Sequence, residues 1–356
     1  MLACYKPHCN KFLTQGGMAV AIIPVFIPHA GCPHQCVFCN QKTISGQQTA
    51  SAGAVEQQLE RWLQWIKPDP ANEAAFYGGS FTGLPVDLQT ELFRPVDKLL
   101  ADGVIGSVRL STRPDYIDAA RLELLQAHGV KTVELGVQSL DDTVLAAAER
   151  GHQAAAVYQA VALLQQYGFE IGLQLMVGMP GQSFDSVRDT VEQVLRLQPA
   201  IARIYPLLVI KGTPLEAAYA RGGFEPLTLE AAVEQSAYVY HQLTQAGIKV
   251  IRVGLQADEE LCGEGNIIAG PFHPAFGELV QSRLLYTELT PRLQKLLCQG
   301  AGKIVITCPV KLESKLRGLK NNNLQRWQQL AGQVPVTIKT APGADAVTIS
   351  GVRDDE

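Results

Sequence analysis

The sequence predicts an α/β fold in which strands and helices alternate to form a partial or near-complete TIM-like (β/α) barrel, followed by a small C-terminal α/β appendage. Three observations support this prediction. Strand-like and helix-like segments alternate from residue 19 onward, polar or glycine-rich loops follow the strands, and the alternation stops near residue 257. In a barrel these loops surround one mouth, so they would converge on a single site. The alternation alone leaves an open doubly wound sheet as the alternative.

The predicted strands are short runs of β-branched and apolar residues. They lie at 19–28, 74–79, 107–111, 132–139, 172–178, 202–210 and 249–255. Helix-period segments between them lie at 54–66, 118–129, 154–168 and 183–198. Ser51 and Ser183 are suited to cap helix N-termini, and Gly129 and Gly168 are suited to end helices.

Composition and charge limit the class of protein. The chain has 356 residues, 47% of them hydrophobic, and a formal net charge of -4, so it is globular and has no overall positive field for nucleic acid. It lacks a run of about 18 apolar residues and the pattern of a secretory signal, so we expect a cytoplasmic protein without a membrane segment. We divide it into a weakly patterned N-terminal extension (1–18), a barrel (19–256) and a C-terminal region that covers the substrate (257–356). Met18 is an alternative start to Met1.

Three of the eight cysteines, Cys32, Cys36 and Cys39, form the pattern CxxxCxxC. In a reducing compartment clustered cysteines are typically metal ligands or catalytic thiols. They are suited either to zinc, with histidine or water as fourth ligand, or to a [4Fe-4S] cluster with one open iron. A structural zinc site normally takes ligand pairs from separate segments, and the nearby His29 and His34 are poorly placed for this role. The missing fourth cysteine therefore favours the cluster.

The cysteine motif, with Phe38 before its last cysteine and a predicted strand ahead of it, resembles the signature of radical S-adenosylmethionine (SAM) enzymes. The resemblance implies that the open iron binds the amino and carboxylate groups of SAM. It implies that one electron from the cluster then cleaves SAM to a 5′-deoxyadenosyl radical. It also implies a low-potential electron donor of the flavodoxin or ferredoxin type.

Other loops match SAM-binding positions of that family. The segment "GGSFTG" resembles its glycine motif, which implies that Gly78, Gly79 and Ser80 hold the SAM amino group, since glycine lets the backbone approach a ligand closely. Gln138 and Arg150 match a pair in the coproporphyrinogen-oxidase-like branch, where the arginine suits the SAM carboxylate. Further implied contacts are Ser111, Gln174 and Phe38. Ser111 and Gln174 are equally suited to hydrogen bonds inside the barrel.

Segments over roughly residues 20–256, such as "PHQCVFCNQ", "VELGVQS" and "RIYPLLVIKGTPL", resemble the radical domain of the Elongator catalytic subunit. We find no acetyl-coenzyme A loop of the R/Q-x-x-G-x-G/A kind, so we expect a stand-alone relative without an acetyltransferase domain. Three more cysteines, Cys4, Cys9 and Cys262, receive no role, and we expect Cys262 to be a buried spectator thiol.

The resemblance favours a base of tRNA or another RNA as the substrate. A basic C-terminal segment is compatible with phosphate contact and aromatic stacking, or is simply a solvated helix face. Its relevant residues are Lys311, Lys315, Arg317, Lys320, Arg326 and Trp327. The alternatives are a small-molecule substrate, as in the porphyrinogen branch, and a non-catalytic carrier of an iron-sulfur cluster or haem.

Overall fold

A computed structural model describes residues 11–13, 19–27, 32, 36–40, 50–255 and 265–352. Its largest element is an eight-stranded sheet. In order across the sheet, the strands are β1 (Lys11–Leu13), β2 (Ala19–Ile27), β3 (Glu73–Gly78), β4 (Ser107–Thr112), β5 (Val130–Gln138), β6 (Glu170–Val177), β7 (Ile201–Pro206) and β9 (Lys249–Val253). β1 is antiparallel to β2, and the other seven strands are parallel. A separate ribbon pairs β8 (Val209–Ile210) with β10 (Ile267–Ala269).

Helices connect the parallel strands. They are α1 (Ala52–Leu63), α2 (Val86–Ala101), α3 (Ala119–Ala127), α4 (Asp142–Ala147), α5 (Ala154–Gln166), α6 (Phe184–Leu197), α7 (Pro214–Ala220) and α8 (Leu229–Gln245). Ser51 and Ser183 cap α1 and α6 as predicted, because their hydroxyls accept hydrogen bonds from backbone N–H groups of the first turn. Gly129 and Gly168, at φ 69° and 74°, follow α3 and α5 in the left-handed conformation that ends helices.

The sheet is curled into a half-barrel. On β2, Ile23, Val25 and Ile27 face the helices and are almost completely buried. On the opposite face, Arg203 of β7 donates a hydrogen bond to the Tyr77 hydroxyl of β3 at 2.8 Å. These strands are four steps apart, which is about 19 Å in a flat sheet, so the two side chains meet only because the sheet curls. The predicted partial (β/α) barrel is confirmed.

A second unit follows the half-barrel. It consists of α9 (Phe276–Cys298), β11 (Lys303–Cys308), α10 (Glu313–Arg317), α11 (Asn322–Ala331), β12 (Val336–Thr340) and β13 (Thr348–Val352). β11 pairs parallel with β12 and antiparallel with β13. Ion pairs from Arg283 to Glu234 (3.0 Å) and from Arg326 to Glu230 (2.5 Å) join this unit to α8. The predicted C-terminal appendage is confirmed.

The predicted strand at 202–210 is two strands in the structure. β7 ends at Pro206, and the backbone N–H of Leu207 donates to the Val177 carbonyl at 2.9 Å. The next residues leave the large sheet and form β8 in the separate ribbon. The sequence stays apolar through the bend because Leu207, Leu208 and Val209 remain buried after the chain has left the large sheet. The domain limits at 18 and 256 stay predictions.

Candidate active site

The three predicted cysteine ligands lie on the loop that follows β2. Cys36 is only 3% exposed. The backbone N–H of Val37 donates to the Ala148 carbonyl at 3.2 Å, and the N–H of Leu215 donates to the Val37 carbonyl at 2.8 Å. The N–H of Cys39 donates to the Cys36 carbonyl at 2.9 Å and closes a turn. The loop is therefore anchored between the end of α4 and the start of α7.

The cysteine side chains line a cavity at the carboxyl ends of the parallel strands. The space within and around it, including its open mouth, is about 520 Å³. Ten of the eleven predicted site residues line it: Cys32, Cys36, Cys39, Gly78, Gly79, Ser80, Ser111, Gln138, Arg150 and Gln174. Thr112, Arg113 and Gly136 line it as well and were not predicted. The structure thus brings together residues from β3 to β6, from the cysteine loop after β2 and from the segment after α4, while their roles stay predictions.

Gly78 at the end of β3 requires glycine. Its φ of 115° is unfavourable for other residues, and an added Cβ would lie 2.1 Å from the carbonyl oxygen of Ile27. The two strands therefore approach closely at this point. As a result the backbone of Gly78 and Gly79 lines the cavity without a side chain in front of it.

Gln138 at the end of β5 has an unusual backbone. Its φ is 69°, and the pairing of β5 with β6 shifts register between Gly136 and Gln138. Such a conformation costs about 1–3 kcal/mol in a residue other than glycine. The side chain is 9% exposed, and within the described residues its Oε1 atom has no hydrogen-bond partner. A strained backbone with a buried unpaired acceptor is typical of a binding site.

Arg150 connects the cysteine loop with β5. The side chain is 6% exposed, and its Nη1 donates to the Cys36 sulfur at 3.2 Å. Its Nη2 donates to the Gly136 carbonyl at 2.5 Å. Among the described residues its Nε atom has no acceptor. A buried guanidinium with an unused N–H beside the cavity suits an anionic ligand.

Ser80, Ser111 and Gln174 form hydrogen bonds within the protein. The Ser80 hydroxyl lies 2.8 Å from that of Thr112 and accepts from the Arg113 backbone N–H at 3.2 Å. Gln174 Nε2 donates to the Ser111 hydroxyl at 3.1 Å. The internal hydrogen bonds expected as the alternative for Ser111 and Gln174 are therefore present, although both residues also line the cavity.

A network of buried charges lies beneath the cavity. Glu134 is 1% exposed and accepts from Arg203 Nε at 2.5 Å and from Arg109 Nη1 at 3.4 Å. Arg109 also donates to Glu73 at 2.7 Å. Burial disfavours the charge of Arg109, but Glu73 and Glu134 outweigh it and raise its pKa. Burial raises the pKa of Tyr77 to about 12, so Tyr77 is a neutral donor or acceptor here. Two acids and two arginines thus balance each other inside the barrel.

Sequence reasoning missed this network and part of the cavity wall. The available signal was a charged residue within a strand, such as Arg109, Glu134 or Arg203, because a buried charge requires a partner. The sequence did not show which charges pair, since their strands are separated by tens of residues.

The cysteine arrangement fits an iron-sulfur cluster better than one zinc ion. In the described part of the chain no three His, Cys, Asp or Glu side chains converge as ligands of a single ion. Zinc requires its sulfurs at about 2.3 Å from one centre, whereas the cysteines of a [4Fe-4S] cluster bind different irons. Arg150 lies against Cys36, and Arg113 Nη1 lies 3.9 Å from the Cys32 sulfur. Two cations beside thiolates suit an anionic cluster.

Phe38 is the predicted site residue that is not among the described residues lining the cavity. Its side chain packs against two apolar clusters, one that contains Val144 and Met179 and one that contains Leu207. This packing anchors the cysteine loop, and contact between Phe38 and SAM stays a prediction. The predictions about His29 and His34 lie outside the described residues.

Cys4, Cys9 and Cys262 also lie outside the described residues. No helix in the described ranges is long and apolar enough to span a bilayer.

The structure corrects one part of the RNA hypothesis. Trp327 has no exposed ring for base stacking, because it is completely buried and its indole N–H donates to the Thr290 hydroxyl at 2.9 Å. Its ring stacks on Tyr286, with centroids 5.4 Å apart. Three basic side chains contact protein partners: Lys315 with Gln281, Arg317 with Glu313, and Arg326 with Glu230. Lys311 and Lys320 are exposed.

Two family models match the chain. The radical SAM superfamily model matches residues 26–194, and the radical SAM C-terminal domain model matches residues 199–286. Both models describe radical SAM proteins, and the chain belongs to the radical SAM superfamily. Enzymes of this superfamily use a [4Fe-4S] cluster and SAM.

Named relatives are similar over part of the chain. A tRNA uridine(34) acetyltransferase of Methanocaldococcus infernus is 26% identical over 260 residues, which are 62% of this chain and 49% of that protein. The heme chaperone HemW of Bacillus subtilis is 26% identical over 183 residues, 50% of this chain and 48% of HemW. The chain spans about half the length of each. The solved structure of archaeal Elp3 from M. infernus with an N-terminal deletion has a TM-score of 0.62 at 22% identity, covering 77% of this chain and 63% of that one, and shares the fold.

Proposed function

We propose that Cys32, Cys36 and Cys39 each bind one iron of a [4Fe-4S] cluster and that the adjoining cavity binds SAM. When bound, the cluster supplies the electron that cleaves SAM reductively. The observation that carries the proposal is that Gln138 and Arg150, which line the cavity together with the cysteines, each have a buried polar atom, Oε1 and Nε, without a hydrogen-bond partner among the described residues. An acceptor and a charged donor in one small cavity suit a ligand that has both an ammonium and a carboxylate group, as SAM does.

The remaining predicted contacts receive more specific roles. The backbone at Gly78 and Gly79 accepts from the SAM ammonium, since no side chain stands in front of it. Ser80 acts through its backbone, because its hydroxyl is engaged by Thr112. Gln174 lies beneath the SAM ribose, and its side chain is held in place by its hydrogen bond to the Ser111 hydroxyl.

The cluster assignment is tested by anaerobic purification and iron analysis. We expect about four irons per chain, as a [4Fe-4S] cluster requires, and 5′-deoxyadenosine formation with dithionite and SAM. Cys36→Ala is expected to lose both, while Cys298→Ala, which removes an exposed cysteine of the C-terminal unit, retains both. Colourless protein with one zinc per chain would refute the assignment.

For the substrate, we propose a base of tRNA. The support is the similarity to a tRNA uridine(34) acetyltransferase over 62% of this chain. The chain spans about half of that relative, and the acetyltransferase activity in the relative's name is not part of this proposal. Mass spectrometry of tRNA nucleosides from a deletion strain tests the proposal, which requires that one modified nucleoside disappears and returns on complementation.

The surface that contacts tRNA is tested by charge reversal. Lys311 and Lys320 are exposed in the C-terminal unit, and each phosphate contact they lose should flatten the dependence of tRNA affinity on salt. We expect a flatter slope for the double variant Lys311→Glu and Lys320→Glu than for Lys98→Glu, an exposed lysine on α2. Equal slopes in the two variants would remove this surface from the proposal.

The second candidate is haem binding without SAM turnover, favoured by the similarity to HemW. Haem titration monitored by absorbance, together with assays of 5′-deoxyadenosine, separates the candidates. Turnover of SAM excludes a purely non-catalytic carrier. A porphyrinogen-like small molecule as substrate would leave tRNA nucleosides unchanged and alter a metabolite instead.

Radical SAM enzymes need a reductant. We propose that a flavodoxin or ferredoxin delivers the electron to this chain. Formation of 5′-deoxyadenosine with a reduced flavodoxin in place of dithionite tests this partner.

A further inference from the structure

Arg113 is a buried arginine beside the cysteine loop that no prediction included. It follows β4, lines the cavity and is 5% exposed. Its Nη1 lies 3.9 Å from the Cys32 sulfur. Its Nη2 donates to the Arg150 carbonyl at 2.5 Å, which places the guanidinium between two cavity-lining segments.

Asp115 holds this guanidinium in place. Nε and Nη2 of Arg113 both donate to the Asp115 carboxylate at 2.9 Å, in a bidentate arrangement. An arginine guanidinium stays protonated in proteins, and the paired Asp115 carboxylate offsets the cost of burying it. The side chain is therefore a fixed positive charge at the cysteine loop.

Arg113 and Arg150 differ in whether one of their N–H groups remains without an acceptor. Arg150 keeps one N–H without an acceptor among the described residues, whereas Arg113 has each of its three nitrogens directed at a protein atom. Arg150 is thus available to bind SAM. Arg113 is committed to the loop and to its own acidic partner, so a direct contact with SAM is not needed to explain it.

We propose that Arg113 is a positioning residue whose charge raises the reduction potential of the cluster held by the cysteine loop; this rests on the proposed function. A reduced [4Fe-4S] cluster carries one more negative charge than the oxidised cluster. A fixed cation near a cluster thiolate therefore stabilises the reduced state more, and burial strengthens this effect. Asp115 acts in the opposite sense, because its carboxylate lowers the net positive charge at the same place.

The test is a mediated redox titration of the anaerobic, cluster-loaded protein, followed by electron paramagnetic resonance. We expect Arg113→Met to shift the midpoint potential to more negative values at unchanged iron content, and Arg113→Lys to restore most of it. Asp115→Asn is expected to shift the potential in the positive direction. A purely structural role would move both in the same direction, or neither, since both substitutions break the same ion pair.

The matched control is Arg188→Met. Arg188 is exposed and pairs with Asp185 at 2.7 Å. Its replacement removes another arginine–aspartate ion pair, which lies away from the cavity, and should leave the midpoint potential unchanged. If Arg113→Met loses iron, Asp115→Asn still decides, because this inference requires a positive shift in Asp115→Asn at unchanged iron content, beside a near-wild-type potential in Arg113→Lys. This inference alone is overturned if the cluster-loaded variants keep the wild-type midpoint potential, or if substitutions of Arg113 and of Asp115 shift it in the same direction. Wild-type protein that takes up no cluster overturns the proposed function as well.

Discussion

At the scale of single residues, the cavity depends on backbone conformations that most side chains disfavour. Gly78 and Gln138 both have positive φ, at 115° and 69°. Glycine adopts this conformation freely, but glutamine does so at a cost. A glutamine held in this conformation beside the cavity supports the proposal that its amide contacts SAM.

Gly78→Ala should destabilise the fold and weaken SAM binding. Its Cβ would lie 2.1 Å from the Ile27 carbonyl oxygen, so the strand ends must separate. We expect a loss of about 1–3 kcal/mol in the free energy of unfolding, measured by urea denaturation. Gly53→Ala is the control: it lies in α1 with nothing within 4 Å of the added Cβ, and should be neutral or stabilising by up to about 1 kcal/mol. Equal effects would contradict the steric argument.

His152 predicts a pH dependence of stability. Burial and the nearby charge of Arg150 lower the pKa of His152 to about 4, and among the described residues its Nε2 has no partner. In the unfolded chain the pKa is about 6.5, so acid protonates the unfolded state first. The contribution of neutral His152 is therefore complete above about pH 6.5 and is lost as the pH falls toward about 4.

Comparison of urea midpoints at neutral and mildly acidic pH tests this. His152→Gln should lose less stability on acidification than the wild type, whereas His241→Gln, at an exposed position on α8, should behave as the wild type does. The same loss in all three proteins would show that His152 is not responsible.

At the scale of elements, the half-barrel is held on its inner face by charges rather than by apolar packing alone. Strands β3, β4, β5 and β7 each contribute one member of the Glu134 network. Gln174 of β6 joins it through a hydrogen bond of 3.3 Å to Glu134. The network therefore links the floor of the cavity to five neighbouring strands.

Glu134→Gln should be strongly destabilising. Removing one partner of a buried ion pair leaves Arg203 and Arg109 with uncompensated charge, at a cost of about 3–5 kcal/mol. Glu192→Gln is the matched control, since Glu192 pairs with Arg196 at 3.7 Å on the surface and should cost less than about 1 kcal/mol. Chemical denaturation measures both, and a cost below about 1 kcal/mol for Glu134→Gln would contradict the account.

The strands and caps could be predicted because their signals are local. Ser51 and Ser183 cap the helices that their sequence contexts predicted. The bend after Pro206 could not be predicted, because the apolar run continues through it and the new partner, β10, lies about 60 residues further on. Local pattern identifies an apolar run, but it does not tell which sheet the run joins.

At the scale of the whole molecule, the curl of the sheet gathers dispersed loops into one cavity. Ten predicted site residues meet there because nearly all of them lie in or just after the carboxyl-terminal half of a parallel strand, and Arg150 reaches the cavity from the segment after α4. The role of Arg113 at the cysteine loop escaped prediction because Cys32 lies 81 residues earlier in the chain. A contact between residues so far apart depends on the complete fold and not on the sequence around Arg113, where only Asp115 is a local partner.

The most direct test of the central claim is electron-nuclear double resonance on the reduced, anaerobic protein with isotope-labelled SAM. The claim is that Cys32, Cys36 and Cys39 leave one iron of the cluster open for SAM. The account predicts magnetic coupling between the cluster and labels in the SAM amino and carboxylate groups. A fully loaded cluster that shows no coupling to either label, because a protein side chain occupies every iron, would contradict it.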